Sequence, residues 1–98
     1  DRFKYFCTAK MVYLITYDLR FPGRDYTNLY NAIKDLGDWR HPMESTWFVH
    51  STLRANEIYN RLCSNIDTND RLLVIEINSS NKQGWLSQSF WGWLNSVN

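Results

Sequence analysis

Apolar residues recur along the first third of the chain in two different spacings, one typical of a strand and one of a helix. Residues 12–17 are β-branched and aromatic on both faces, which predicts a buried central strand that ends at Asp18. Within residues 26–36 the apolar positions follow three- and four-residue spacing, which predicts an amphipathic helix. Asp25 is placed to cap this helix, and Gly37 to stop it.

The rest of the pattern predicts a hairpin, a second helix and a second buried strand. Residues 39–50 have strand character in two pieces separated by Pro42, and residues 54–66 return to helical spacing. Residues 67–70 form a polar turn before the apolar run at 71–77. The order strand, helix, strand, strand, helix, strand predicts an α+β, ferredoxin-like split βαβ fold (βαββαβ). This fold has an antiparallel four-stranded sheet with two helices on one face.

Two segments flank this predicted domain at 11–78. Residues 1–10 are an N-terminal extension with two open interpretations: natural sequence, or residues ahead of a natural start at Met11. Residues 79–98 are a polar linker and a Trp-rich segment with helical spacing, interpreted as an interface that docks on the sheet, on a second subunit or on a partner protein. Membrane contact is disfavoured because residues 84–98 contain no Lys or Arg.

Size and charge narrow the classes of function. The chain has 98 residues and a net charge of +1, and residues 11–98 alone carry a net negative charge. This charge disfavours binding of nucleic acid over a broad basic surface, so any contact with nucleic acid is expected to be local. A domain this small gains noticeably from burial against a second copy, so we expect a homodimer. No apolar stretch resembles a signal peptide or a membrane span, which favours a cytoplasmic protein, and Cys7 and Cys63 are expected to be free thiols.

Asp18 is the most informative candidate for chemistry, because the chain has no Gly-rich phosphate loop, catalytic triad or paired-cysteine motif. A carboxylate where a buried strand meets a loop is placed to bind a metal ion and activate water. Mg²⁺ needs about six oxygen ligands, so a two-fold dimer supplying two copies of Asp18 would make a better site. The alternative is structural: Asp18 accepts hydrogen bonds from backbone amides of the following loop.

Basic and aromatic residues in the neighbouring loops suit phosphate contact and base stacking. The candidate nucleic-acid-binding residues are Arg20, Arg24, Arg40, His41 and Ser45. Glu44 could join Ser45 in the same cleft, although a hairpin turn also needs polar residues. The alternative for the arginines is ordinary solvated loop charge, and His50 is interpreted as a structural histidine.

The segments YLITYDLR (13–20) and ESTWFV (44–49), with a helix and Gly37 between them, resemble the CRISPR-associated protein 2 superfamily, which includes virulence-associated protein D. The resemblance implies a small ferredoxin-like dimer. It matches Asp18 to an aspartate that is a divalent-metal ligand for phosphodiester cleavage in some members and dispensable for DNA integration in others. Arg20 and Ser45 match a basic and a serine position. Glu44, where Gln is frequent, and the Trp-rich segment depart from the pattern and favour a stand-alone relative.

Three functions remain open from the sequence. The first is a homodimeric Mg²⁺-dependent endonuclease, with RNA favoured over DNA and Asp18 as the metal ligand. The second is a non-catalytic dimeric scaffold that binds nucleic acid or a partner protein. The third is a small-molecule sensor, for which the sequence has no pocket motif.

Overall fold

The described part of the chain contains four strands and three helices. The computed structural model describes residues 9–21 and 23–97. In chain order its elements are β1 (Met11–Asp18), α1 (Thr27–Lys34), β2 (Asp38–Met43), β3 (Thr46–Ser51), α2 (Ala55–Leu62), a 3₁₀ turn (Cys63–Asn65), β4 (Arg71–Glu76) and α3 (Gln88–Val97). The predicted Cys7 thiol and most of the N-terminal extension lie outside the described residues, whereas Cys63 is a half-buried free thiol.

The four strands form one antiparallel sheet in the order β2-β3-β1-β4. The α+β class and the antiparallel four-stranded sheet are confirmed, and the architecture is compatible with a small ferredoxin-like fold. Strand β1 is central, with β3 on one side and β4 on the other. This position explains why residues 12–17 are apolar on both faces, since each face of the strand packs against a different layer.

One face of the sheet packs against α1 and α2. Successive side chains of a strand point to opposite faces, so Tyr13, Ile15 and Tyr17 share this face of β1. The cluster also includes Trp47 and Val49 of β3, Tyr26, Leu29, Ile33 and Leu36 from the α1 region, and Ile58 and Leu62 of α2. The apolar spacing in the sequence therefore identified the buried face of both helices.

The opposite face of the sheet is partly covered by α3. Phe90, Trp93 and Leu94 of this helix are buried against Val12 and Phe48 of the sheet. The Trp-rich segment thus forms the amphipathic helix that its spacing predicts and packs on its own chain. None of the helices among the described residues has the length and apolar composition that a membrane span requires.

The predicted break at Pro42 in the hairpin needs correction. Strand β2 is not broken at Pro42 but continues to Met43 through a register shift after Arg40. A bulge on an edge strand accommodates proline, because the missing N–H is not needed for the ladder there.

Gly37 has a different role from the predicted helix stop. Helix α1 already ends at Lys34, and a Cβ at Gly37 would lie 2.5 Å from the backbone oxygen of His50. The glycine is needed because two backbone segments approach each other closely at this point.

Candidate functional site

Asp18 is the last residue of β1 and lies on the sheet face opposite α1 and α2. Its register partner on β4 is Arg71. The carboxylate is well exposed and forms an ion pair with Arg20, with 2.9 Å between Asp18 Oδ2 and Arg20 Nη2. An exposed ion pair of this kind contributes about 0–1 kcal/mol, so either partner can exchange it for a ligand at little cost.

The structural role considered for Asp18 is filled by Asp70. The backbone N–H of Arg20 donates to Asp70 Oδ1 at 2.8 Å, and the N–H of Asp67 donates to Oδ2 at 2.8 Å. The Tyr26 hydroxyl lies 3.1 and 3.0 Å from the two carboxylate oxygens. Asp70 is buried, and it connects the loop after β1 to α1 and to the turn before β4.

The hydrogen bonds of Asp70 also set its protonation. Burial by itself raises the pKa of this carboxyl, but the backbone N–H groups of Arg20 and Asp67 and the Tyr26 hydroxyl outweigh burial and lower it below its ordinary value. Conversely, burial and the bond to Asp70 raise the pKa of Tyr26. Sequence reasoning missed Asp70 because residues 67–70 have the composition of an ordinary turn. The sequence Asp-Thr-Asn-Asp indicates hydrogen bonds between side chains and the backbone within the turn, but it does not indicate the bond to Arg20.

A small cleft of about 280 Å³ lies beside Asp18. It is lined by Tyr17, Asp18, Leu19, Tyr30, Glu44 and Ser45. The β2–β3 turn is held there because the Ser45 carbonyl accepts hydrogen bonds from the Tyr17 N–H at 3.1 Å and the Thr16 hydroxyl at 3.2 Å. The cleft therefore brings two carboxylates and one exposed hydroxyl of the same chain together.

His41 belongs to an aromatic cluster next to this turn. Its ring stacks on Trp47 with the ring centroids 3.7 Å apart, and its Nε2 lies 2.9 Å from the Glu44 carbonyl oxygen. Trp47 in turn donates from Nε1 to the Tyr17 hydroxyl at 3.0 Å, and that hydroxyl donates to the Glu44 carbonyl at 3.1 Å. His41 is thus near the turn that carries Ser45, with its ring committed to covering Trp47.

Arg24 points to a neighbouring part of the molecule. Its guanidinium lies 3.4 Å from Asp67 and 5.1 Å from the ring centroid of Tyr26. These contacts place it over the turn that contains Asp70, where it neutralises an acidic cluster.

Arg40 lies far from Asp18. It pairs with Phe48, which pairs with Leu14, four residues before Asp18. With roughly 3.3 Å per residue and 4.8 Å per strand, the Cα atoms of Arg40 and Asp18 are about 16 Å apart. The Arg40 guanidinium is held by Asp38 at 2.8 Å and lies 4.9 Å from the ring of Trp93.

These contacts give Arg40 a role in holding α3. Asp38 also accepts a hydrogen bond from Trp93 Nε1 at 2.7 Å. The bond from Trp93, joined by Arg40, lowers the pKa of Asp38 against a smaller effect of burial. Sequence reasoning missed this arrangement because no local pattern links residues 38 and 93.

A larger hollow of about 640 Å³ lies near the start of β1, at the end away from Asp18. Its charged lining residues are Arg54, Glu57 and Glu76. Glu57 is committed to capping α2, because its carboxylate accepts the backbone N–H of Arg54 at 3.0 Å. We therefore place the candidate site at Asp18.

Of the predicted site residues, Arg20 and Ser45 lie beside Asp18, together with Glu44. His41 lies next to the turn that carries Ser45. Arg24 and Arg40 form ion pairs elsewhere in the molecule. Within residues 9–21 and 23–97, no group of three or more His, Cys, Asp or Glu side chains could hold a metal ion. Comparison with known proteins found no matching family model, no matching curated protein and no matching solved structure.

Proposed function

We propose that this protein is a homodimeric, metal-dependent endonuclease related to the CRISPR-associated protein 2 superfamily, with RNA as the favoured substrate. The observation that carries the proposal is that two acids, Asp70 and Asp18, have different roles. Asp70 holds the loop after β1, and among the described residues the exposed Asp18 accepts no hydrogen bond from the loop backbone, so its carboxylate is available for a ligand. The strand order and antiparallel pairing support a split βαβ arrangement, on which the resemblance rests.

The site of one chain would supply half of the protein ligands of a divalent cation, and the site of a second chain would supply the other half. Asp18 offers a carboxylate, and Glu44 lines the same cleft. Mg²⁺ is typically held by one or two carboxylates and keeps several waters. When bound, such a cation supplies electrostatic stabilisation for the attack of water on a phosphodiester. We assign the metal to Asp18 from each of two subunits.

An uncovered apolar strip supports the second subunit. Leu73 and Ile75 of β4 are 51% and 47% exposed, and they lie on the same sheet face as Asp18 because their register partners are Thr16 and Leu14. Burying the rest of these two side chains would contribute about 1 kcal/mol each. A second copy that covers this strip would lie next to Asp18.

Arg20 is the residue we assign to phosphate binding. Its guanidinium already contacts one oxyanion, the Asp18 carboxylate, and the pair is exposed. A phosphodiester could replace Asp18 as its partner once the carboxylate binds a cation. Ser45 offers a hydroxyl in the same cleft. His41, Arg24 and Arg40 would contribute to nucleic-acid binding only at its periphery.

The test compares cleavage by matched aspartate variants. Purified wild type, Asp18→Asn and Asp35→Asn are incubated with a short single-stranded RNA and with duplex DNA, with Mg²⁺ or with chelator. Asp35 is an exposed acid at the end of α1 and serves as the charge-matched control. We expect Mg²⁺-dependent RNA cleavage by wild type and Asp35→Asn and loss of at least about 100-fold in Asp18→Asn. Equal cleavage by all three proteins contradicts the proposal.

A non-catalytic dimeric scaffold is the second candidate, and the exposed Leu73 and Ile75 favour it equally, because they support a dimer without requiring chemistry. This scaffold would bind nucleic acid or a partner protein. It predicts no cleavage with any divalent metal, together with a stable dimer whose binding of RNA or a partner protein is unchanged in Asp18→Asn.

A further inference from the structure

A second cleft, distinct from the Asp18 site, lies between the sheet and the C-terminal segment. It measures about 440 Å³, within the range of roughly 300–1,000 Å³ typical of small-molecule sites. Most of its wall is apolar: Leu14, Met43 and Phe48 from the sheet, and Trp85, Leu86 and Trp91 from the C-terminal segment. This mixture of aliphatic and aromatic side chains suits a flat or elongated apolar molecule.

The cleft carries a single charge. Lys82 is one of its lining residues, and from residue 77 to residue 98 it is the only ionisable side chain of the chain. Its Nζ donates to the Ser79 carbonyl at 2.6 Å, which uses one of three ammonium donors. In the described part of the chain Lys82 has no salt bridge within 4.0 Å. The cleft therefore has a positive charge at an apolar wall, with no acid of its own.

Large apolar side chains at the rim of the cleft are exposed. Trp85 is 100% exposed and Met43 is 47% exposed, although both line the cleft. Beneath the rim, the Ser79 hydroxyl is buried and finds no hydrogen-bond partner among the described residues. Large apolar side chains around a concave surface gain from contact with an occupant.

We propose that this cleft binds a small amphiphilic anion, with an aromatic or aliphatic body between the sheet and α3 and a carboxylate or sulfonate on Lys82. Charge complementarity selects this occupant. A second copy would present the same surface across a two-fold axis. Since neither copy has an acid at residues 77–98, such a contact would leave both Lys82 side chains without a partner.

The proposal is independent of the nuclease, because none of the residues that line this cleft is in the Asp18 site. It also supplies the pocket that the sequence alone did not reveal for a small-molecule sensor. The Asp18→Asn variant should therefore bind the anion as well as wild type does.

The test uses two matched fluorescent probes, anilinonaphthalene sulfonate and the uncharged N-phenylnaphthylamine. We expect the sulfonate to bind with a Kd lower than that of the uncharged probe. Lys82→Gln should raise the sulfonate Kd about threefold to tenfold, and Lys82→Arg should restore it. Lys34→Gln is the control, because Lys34 lies on α1, where its Nζ faces Trp39. Equal affinity for both probes, or no effect of Lys82→Gln, overturns the proposal.

The indole N–H signals in a proton–nitrogen NMR spectrum locate the probe. We expect the sulfonate to shift the signals of Trp85 and Trp91, and to leave those of Trp39 and Trp47 in place. Shifts confined to Trp39 and Trp47 would assign the probe to the other side of the sheet and overturn the proposal. Displacement of the probe by dimerisation, followed by sedimentation velocity, would assign the cleft to a second copy and also overturn it.

Discussion

Asp70→Asn should destabilise the protein strongly, although this residue comes from an unremarkable polar turn. The carboxylate accepts two backbone N–H bonds of 2.8 Å and contacts the Tyr26 hydroxyl. Asparagine keeps one acceptor oxygen and turns its NH₂ group toward at least one of these donors. A buried donor left without an acceptor costs about 1–3 kcal/mol, and exchanging a charged acceptor for a neutral one costs about 1 kcal/mol more. We therefore expect a loss of about 2–4 kcal/mol.

Urea unfolding, followed by tryptophan fluorescence, measures this loss. A domain of this size has a total stability of about 5–15 kcal/mol, so the variant would lose a large fraction of it. With a slope of about 1–3 kcal/mol per molar urea, the midpoint should fall by about 0.7–4 M. Asp35→Asn, at an exposed position, should change the stability by less than about 0.5 kcal/mol.

The stability difference between wild type and Asp70→Asn should also depend on pH. The pKa of Asp70 is lowered in the folded protein from its ordinary value of 3.8, so its charge stabilises the fold above that value. This contribution is lost as the pH falls from about 5 through 3.8 and then through the lower folded-state pKa. Wild type should therefore lose its advantage over Asp70→Asn in this acid range. A stability change below about 0.5 kcal/mol at neutral pH, or parallel pH curves, would refute the assigned role of Asp70.

Three further variants test other parts of the structure by thermal or urea unfolding and by sedimentation. Gly37→Ala should lower the stability by at least about 2 kcal/mol because the added Cβ would meet a backbone oxygen. Gly92→Ala in α3 is the control: its Cβ would meet no atom within 4 Å, so the stability should rise by about 0.5–1 kcal/mol. Equal effects of the two substitutions would contradict this prediction. Asp38→Ala should cost about 1–3 kcal/mol and change the indole N–H signal of Trp93, and an unchanged signal would show that the bond is absent. Leu73→Glu should leave the fold intact and weaken the proposed dimer at least about tenfold, whereas an unaffected dimer would place the interface elsewhere.

The alternation of apolar residues carried most of the information about the fold. In β1 the apolar residues on both faces indicated a central strand, and the spacing around Leu29 and Ile33 identified the buried side of α1. These features depend on neighbours within a few residues, so periodicity reveals them. Pro42 was misread as a break because its tolerance depends on β2 being an edge strand with a bulge, which is a property of the sheet.

The candidate site was predictable only in part, because its contacts span long separations in sequence. Position at the end of a strand was enough to identify Asp18, and the basic and polar residues near it in sequence identified Arg20 and Ser45, which the resemblance also matches. No local signal shows that Asp70 bonds to Arg20 across fifty residues, or that Arg40 is held by Asp38 against Trp93. An arginine looks the same in sequence whether it faces a ligand or a carboxylate of its own chain.

Calorimetric titration of the dimer with Mn²⁺, which binds to the same kinds of oxygen ligand as Mg²⁺, shows whether two subunits share a cation through Asp18. We expect one ion for every two chains in wild type and no binding in Asp18→Asn, while Asp35→Asn binds as wild type does. One ion for each chain, or an Asp18→Asn titration identical to that of wild type, would contradict this expectation.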